Sequence, residues 1–340
     1  MKVLIIRLSS IGDIILTTPV IRALKKQIQA DVHFLCKKPF VPLLSDHPEV
    51  SKVWSYDVDQ AFQEQIKPLK EEQFDQVVDL HRNLRSRRII RSLGVPSTTF
   101  PKLNMQKWLM VNLKWDMLPE LHIVDRYLEA IAPLQCRKDQ EGLDFYIHPD
   151  HFVDLNAHGL QSESYCVFVV GAAHETKQVP IDQAIPLLNQ INLPIVLLGG
   201  PNDRQKAAEI AAELCGQVLN FCGSLSLQES ASIIDQSAIV LTPDTGLMHM
   251  AAALKKPTIV FWGNTIPDFG MGPYYGDRDI PTMNVEIEGL RCRPCSKIGS
   301  QHCPKGHFKC MRHWNPLEIA EKVNSFYRRE VLSKREQKSL

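Results

Sequence analysis

No apolar run in these 340 residues approaches the about 18 needed to cross a bilayer. The N-terminal apolar stretch from Val3 to Ile6 stops at Arg7, too short for the core of a signal peptide, so the cytoplasm is the expected compartment. Charge of one sign is missing as well. Thirty-nine basic residues face 38 acidic ones, a formal charge of +1, so no whole-protein field draws in nucleic acid or a membrane, and electrostatic recognition has to be local. There is no close internal repeat. The turn Ser9-Ser10-Ile11-Gly12 lacks the Gly-x-Gly-x-x-Gly of dinucleotide binding, which argues against a nicotinamide-dependent dehydrogenase. Nine cysteines are present, but Cys36, Cys136, Cys166, Cys215 and Cys222 are scattered through a long chain and read as buried small hydrophobes, not as a secreted disulfide framework.

What is present is ordinary for a folded globular chain: 44% hydrophobic and 23% charged residues. The length favours two domains, since one domain usually holds about 100 to 200 residues. Lys2 to Leu8 is a β-branched run followed by a tight turn and an apolar-periodic helix from Asp13 to about Gln29. Val32 to Cys36 and Gln76 to Leu80 read as further buried strands, with helices at about Asn83 to Leu93 and Val124 to Ile131. From Cys136 to about Ser164 the chain turns polar and irregular, which places a domain boundary near residue 160 and gives domains 1–160 and 161–340. Tyr165–Val170, Ile195–Leu198, Ala238–Thr242 and Thr258–Trp262 repeat the strand signature, each separated by a helix-length segment. Strands spaced in this way need helical crossovers and so form parallel sheets. The expected fold is α/β, two open parallel sheets side by side with a cleft between their strand carboxyl ends.

Three segments at predicted strand ends carry chemistry. In Ala238–Ala253, a buried strand runs into Asp244-Thr245-Gly246 and then a helix whose opening N–H groups point back at the strand end. Gly246 allows a close ligand approach, and His249 lies one turn after Thr245 on the same face, so a diphosphate would fit; a merely capped helix with a satisfied histidine is the alternative. In Arg7–Asp13, an acid sits at the first turn of a helix behind Gly12, where the helix dipole would keep it ionised as a base, or where it simply stabilises the helix start. Third, Val169–Lys177 carries a small-residue loop into Lys177, an ammonium able to neutralise phosphate.

Taken together, these segments resemble glycosyltransferase family nine, the ADP-heptose:lipopolysaccharide heptosyltransferases. The resemblance rests on Arg7-x-x-x-Ile11-Gly12-Asp13 through Pro19, Gly171-Ala172 through Lys177, Leu198-Gly199-Gly200 with Asp203, Cys222-Gly223-Ser224 and Asp244-Thr245-Gly246-x-x-His249, in the family's order over nearly the whole chain. One departure is Lys177-Gln178-Val179-Pro180, where such families often carry tryptophan-proline after the lysine. The resemblance implies a double-Rossmann fold of the GT-B type that transfers a heptose with inversion. Its donor would be a nucleotide-diphosphate sugar, its acceptor a sugar hydroxyl on an anionic glycolipid of the lipopolysaccharide inner core, at the inner face of the inner membrane. By position, Asp13 would be the general base. Lys177, Asp244, Thr245, Gly246, His249, Gly199 and Gly200 would hold the donor; Ser10, Gly12, Asn83, Arg85 and Ser86 would serve the acceptor. Peripheral membrane contact would accompany a lipid-linked acceptor, and no cofactor is required for such an in-line displacement.

Two other features stand apart. The basic segment His81–Arg91 would place Arg82, Arg85 and Ser86 or Arg88 on one helical side, as a site for an anionic acceptor or as a solvated basic face. Cys292, Cys295, Cys303 and Cys310 supply four soft ligands within 19 residues, enough for a structural zinc, although the spacing matches no standard finger and buried or redox-pairing thiols are the other reading. Asp57-Val58-Asp59 resembles a metal-binding Asp-x-Asp of another transferase fold and is discounted as a loop pair.

Overall fold

The computed structural model describes residues 1–333. The first half runs β1 (Lys2–Ile6), α1 (Ile11–Ile15), α2 (Thr18–Ile28), β2 (Asp31–Lys37), β3 (Lys52–Tyr56), α3 (Phe62–Glu71), β4 (Gln76–Asp79), α4 (Leu84–Leu93), β5 (Ser97–Thr99), α5 (Asn104–Leu113) and α6 (Ile123–Glu129). The second runs β6 (Cys166–Val169), α7 (Ile181–Leu188), β7 (Ile195–Leu198), α8 (Arg204–Ala212), β8 (Val218–Asn220), α9 (Leu227–Asp235), β9 (Ile239–Pro243), α10 (Gly246–Ala253), β10 (Thr258–Phe261), β11 (Thr282–Val285), α11 (Lys309–Arg312) and α12 (Pro316–Phe326).

Two sheets result, in the orders β3-β2-β1-β4-β5 and β11-β10-β9-β6-β7-β8, and all these pairings are parallel. The central strands are buried along their length, as Val3–Ile6, Cys166–Val169 and Ile239–Pro243 show, because helices cover both faces and leave no polar side to alternate with. In each sheet the chain order reverses beside the first strand, between β1 and β4 and between β6 and β9. Such switch points open crevices at the strand carboxyl ends, where ligands of open α/β sheets bind.

The single helix expected over Asp13–Gln29 is two helices. Pro19 has no N–H and its ring would clash with the carbonyl four residues back, so the chain stops at Ile15 and restarts with Pro19 in the first turn of α2, while the Thr17 hydroxyl donates to the Ile14 carbonyl. The polar stretch after Cys136 is tied down. Buried Arg22 donates to both oxygens of Asp139 at 2.6 and 2.7 Å, to the Gly142 carbonyl at 2.7 Å and to Asp144. One buried apolar cluster runs from Val3, Ile5 and Val20 through Leu143 and Phe145 to Val167, Val196 and Met250, so the two sheets share a core in addition to the clusters on their outer faces.

Candidate active site

The carboxyl ends of both sheets face one cleft of about 640 Å³. The loop after β1 brings Arg7, Ser10, Ile11, Gly12 and Asp13 to one wall; the loops after β6 and β9 bring Ala173, His174, Lys177, Asp244, Thr245, Gly246 and His249 to the other. Segments far apart in sequence meet here because each leaves a central strand of its sheet at the carboxyl end.

Asp13 occupies the third position of α1. Its Oδ1 lies 2.7 Å from Arg7 Nη2, and its Oδ2 accepts the Ser10 N–H at 3.1 Å and the Ser10 hydroxyl at 2.9 Å. Burial pushes this carboxyl up, but the Arg7 charge and hydrogen bond, with both Ser10 donors, outweigh it and hold Asp13 below the usual carboxylate range. Arg7 is itself fixed: Nε donates to the Ser9 carbonyl and Nη1 to the Leu80 carbonyl at the end of β4. The result is a carboxylate that stays ionised at neutral pH beside open cleft.

On the opposite wall, Lys177 Nζ lies 2.7 Å from Asp244 Oδ2, which also accepts the Thr265 hydroxyl at 2.8 Å. Asp244 therefore holds Lys177 at the cleft wall. Thr245 takes the N-cap position of α10 in extended conformation, and Thr245 and Gly246 at the start of that eight-residue helix line the cleft, where its first N–H groups have no partner within the helix. His249 is buried on α10, and burial takes its imidazole down to about 4, so it is neutral at pH 7; its Nδ1 has no hydrogen-bond partner among the described residues.

Gly246 meets a packing demand that its motif does not announce. A Cβ there would sit 2.7 Å from Ile11 Cβ and 3.2 Å from the Gly12 nitrogen, and a Cβ on Gly12 would run into the His249 ring. The two glycines let the starts of α1 and α10 touch across the cleft, so Gly246 makes room for the facing wall while itself lining the cleft.

Other expected residues lie away from the cleft lining. Asn83 and Ser86 cap α4 reciprocally: the Ser86 N–H donates to Asn83 Oδ1 at 2.9 Å, the Asn83 N–H donates to Ser86 Oγ at 3.0 Å, and the Ser86 hydroxyl donates to Asp79 at 2.8 Å. Arg85 is exposed on the outside, Arg82 donates to the Phe100 carbonyl, and Arg88 lies over the Phe62 ring. No residue of His81–Arg91 is among those that line the cleft. Gly199 and Gly200 shape a turn around Asp203, whose Oδ2 accepts the Gly200 N–H at 2.7 Å; a Cβ on Gly199 would meet that carboxylate. Asp57 and Asp59 form a local turn.

The cleft cations that no motif marks are Lys102, Lys107 and Lys297, accompanied by the Tyr127 ring under Arg7. The local pattern gives no signal for them, since α5 has no buried residue to give it periodicity. Lys297 and Ile298 come from the cysteine-rich segment. Arg293 holds that segment by donating to the carbonyls of Gly263, Thr265 and Ile287 and to Glu286, while Thr176 and Ser300 exchange hydrogen bonds. All four thiols are free of disulfides, and among the described residues no group of three or more His, Cys, Asp or Glu side chains is placed to hold a metal ion.

Compared with known proteins, residues 63–301 match the model of glycosyltransferase family 9 (heptosyltransferase). The chain belongs to this family. Lipopolysaccharide heptosyltransferase 1 of Salmonella typhimurium is 27% identical over 89% of this chain and 100% of its own, and lipopolysaccharide heptosyltransferase 2 of Escherichia coli is 26% identical over 97% and 99%. Among solved structures, E. coli ADP-heptose lps heptosyltransferase II superposes with a TM-score of 0.74 over 97% of this chain and 99% of that one at 21% identity. E. coli heptosyltransferase WaaC, solved with ADP, gives 0.68 over 96% and 100%, also at 21%. The family 9 chain thus has the GT-B architecture, two Rossmann-like sheets across a cleft, and is a glycosyltransferase. None of its described helices is long and apolar enough to cross a membrane.

Proposed function

We propose that this enzyme transfers a heptose from ADP-heptose to a sugar hydroxyl of the lipopolysaccharide inner core, with inversion, at the inner face of the inner membrane. The observation that carries the proposal is the placement of an ionised Asp13 in the same cleft as Lys177 and the α10 N-terminus. Asp13 takes the proton of the acceptor hydroxyl as its oxygen attacks the anomeric carbon; the bond from that carbon to the diphosphate oxygen breaks, and ADP leaves. The departing charge meets the first N–H groups of α10 and Lys177, which exchanges Asp244 for phosphate. Neutral His249 lines the same cleft from α10. Among its solved neighbours, one carries ADP and one ADP-2-deoxy-2-fluoro heptose, which supports the donor class. No step calls for a metal, and we propose the chemistry to be metal-independent, with a four-thiol zinc in the cysteine-rich segment as a structural question only.

Turnover of ADP-heptose, UDP-sugars and GDP-sugars on a defined core acceptor by the parent and by Asp13→Asn tests this. Turnover of ADP-heptose alone, lowered by about two orders of magnitude or more in the variant, is expected for loss of a positioned base. Circular dichroism accompanies the assay, because Arg7 loses its charged partner in that variant. Near-parental turnover would remove Asp13 from catalysis; turnover of a different nucleotide sugar would make this a same-fold transferase of another polysaccharide.

A further inference from the structure

The stretch from Asn104 to Leu121 is unlike the rest of the surface. α5 buries none of its residues, and between Asn104 and Leu121 no side chain is fully covered. Yet it is strongly apolar: Met105 is 70% exposed, Trp108 50%, Trp115 63% and Met117 61%, with Leu113 and Leu121 exposed beside them. A surface helix of a globular protein ordinarily turns such residues inward, and a contiguous exposed patch of this kind marks an interaction site.

Its position says which kind. The cleft-facing side of α5 gives Asn104 and Lys107 to the lining, and Lys297 reaches across to the Asn104 carbonyl at 3.1 Å, carrying exposed Ile298 with it. Lys102, Lys107 and Lys297 thus stand at the cleft side of an apolar face, while the Lys114 ammonium is held by the carbonyls of Val111, Cys292 and Pro294; Asp116 and Glu120 are the acids of the stretch. Tryptophan and methionine with flanking lysines is the composition of a segment that lies in the boundary of an anionic bilayer, its rings at headgroup level and its ammonium groups on lipid phosphates. A face covered by a second copy of the chain would not need cations rimming it on the side of the cleft.

We infer that Met105, Trp108, Leu113, Trp115 and Met117 form a docking surface for an anionic phospholipid bilayer, seating the cleft mouth at the lipid surface. This rests on the reading that the acceptor is a glycolipid: its sugar has to reach Asp13 while its acyl chains stay in the membrane, which requires the membrane to meet the protein at the edge of the cleft. α5 is that edge, so the acceptor is delivered without leaving its bilayer.

The test uses the full chain and vesicles of phosphatidylcholine alone or mixed with phosphatidylglycerol. The parent should sediment with the mixed vesicles and show a blue shift of tryptophan emission. W108S/W115S should partition at least about tenfold more weakly, as burial of two large rings predicts, and keep its circular dichroism spectrum and its turnover on a water-soluble, delipidated acceptor. Failure of the parent to bind mixed vesicles, or equal partitioning of parent and variant, overturns the docking surface. So does a parent dimer in analytical ultracentrifugation that W108S/W115S dissolves, since the face then belongs to a second copy. Because the delipidated acceptor reads transfer separately, turnover on it with no vesicle binding sinks only the docking surface, whereas no turnover on any core acceptor sinks the functional reading.

Discussion

Gly246→Ala places one methyl group where the starts of α1 and α10 meet. Its Cβ would lie 2.7 Å from Ile11 Cβ and 2.8 Å from Ile11 Cγ2. Carbon atoms settle at about 3.5 to 4.0 Å, so the two helix starts have to part by roughly 1 Å. Neither end can yield easily, because the neighbouring Ile14, Met250 and Ala251 are buried in the shared core. A displacement of this size moves Asp13 away from the α10 N-terminus and is expected to lower kcat/KM by about 100-fold. In the proposed reaction ADP meets the α10 side alone, so its Kd by titration calorimetry should change far less. Adding Ile11→Gly to Gly246→Ala removes the atoms that the methyl group meets and should recover part of the loss. A kcat/KM for Gly246→Ala within about threefold of the parent, or a loss carried wholly by ADP affinity, would refute the argument that the glycine spaces the two walls.

Arg22→Ala strands Asp139 and Asp144 at a largely buried site, and chemical denaturation should show a loss of about 3 to 5 kcal/mol. Burial takes His47, His122 and His249 down to about 4. Each is depressed below its unfolded value, so its contribution is complete above about 6.5 and is lost as pH falls towards 4, by up to about 1.4 kcal/mol per pH unit and histidine; a flat unfolding free energy from about pH 7 to 4.5 would contradict their burial. Transfer should survive brief EDTA treatment with the fold monitored, whether or not elemental analysis finds zinc on the cysteine-rich segment. Restoration of lost activity by magnesium or manganese would demand a metal in the reaction.

The parts legible in the sequence are those in which a buried strand runs straight into a special turn. Asp13, Lys177, Thr245 and His249 all follow central strands whose apolar runs are unmistakable, and parallel topology then brings their ends together. β3, β5, β8 and β11 escape such a reading because they are partly exposed edge strands, as Lys52-Val-Trp-Ser-Tyr and Ser97-Thr-Thr show, with no continuous apolar run to announce them. The role of Gly246 is out of reach for another reason: the atoms that demand a glycine belong to Ile11 and Gly12, far off in sequence. Asn83 and Ser86 carry a helix-capping pattern that the sequence does display, yet the charge run around them points equally to binding. Lys102, Lys107 and Lys297 have no local signal at all, since only the closed cleft gives them a common address.

The core shared by the two sheets also governs how a substrate gets in. Swinging the halves widely apart would wet the cluster that joins the layer around Ile5 and Phe145 to the layer around Val167 and Val196. Each 200 Å² or so of apolar surface exposed in this way costs about 5 kcal/mol, which holds a widely opened form to roughly one molecule in five thousand. Small rotations about that cluster leave it dry, and the Lys297–Ile298 tip at the cleft mouth stands outside it, held from behind by Arg293.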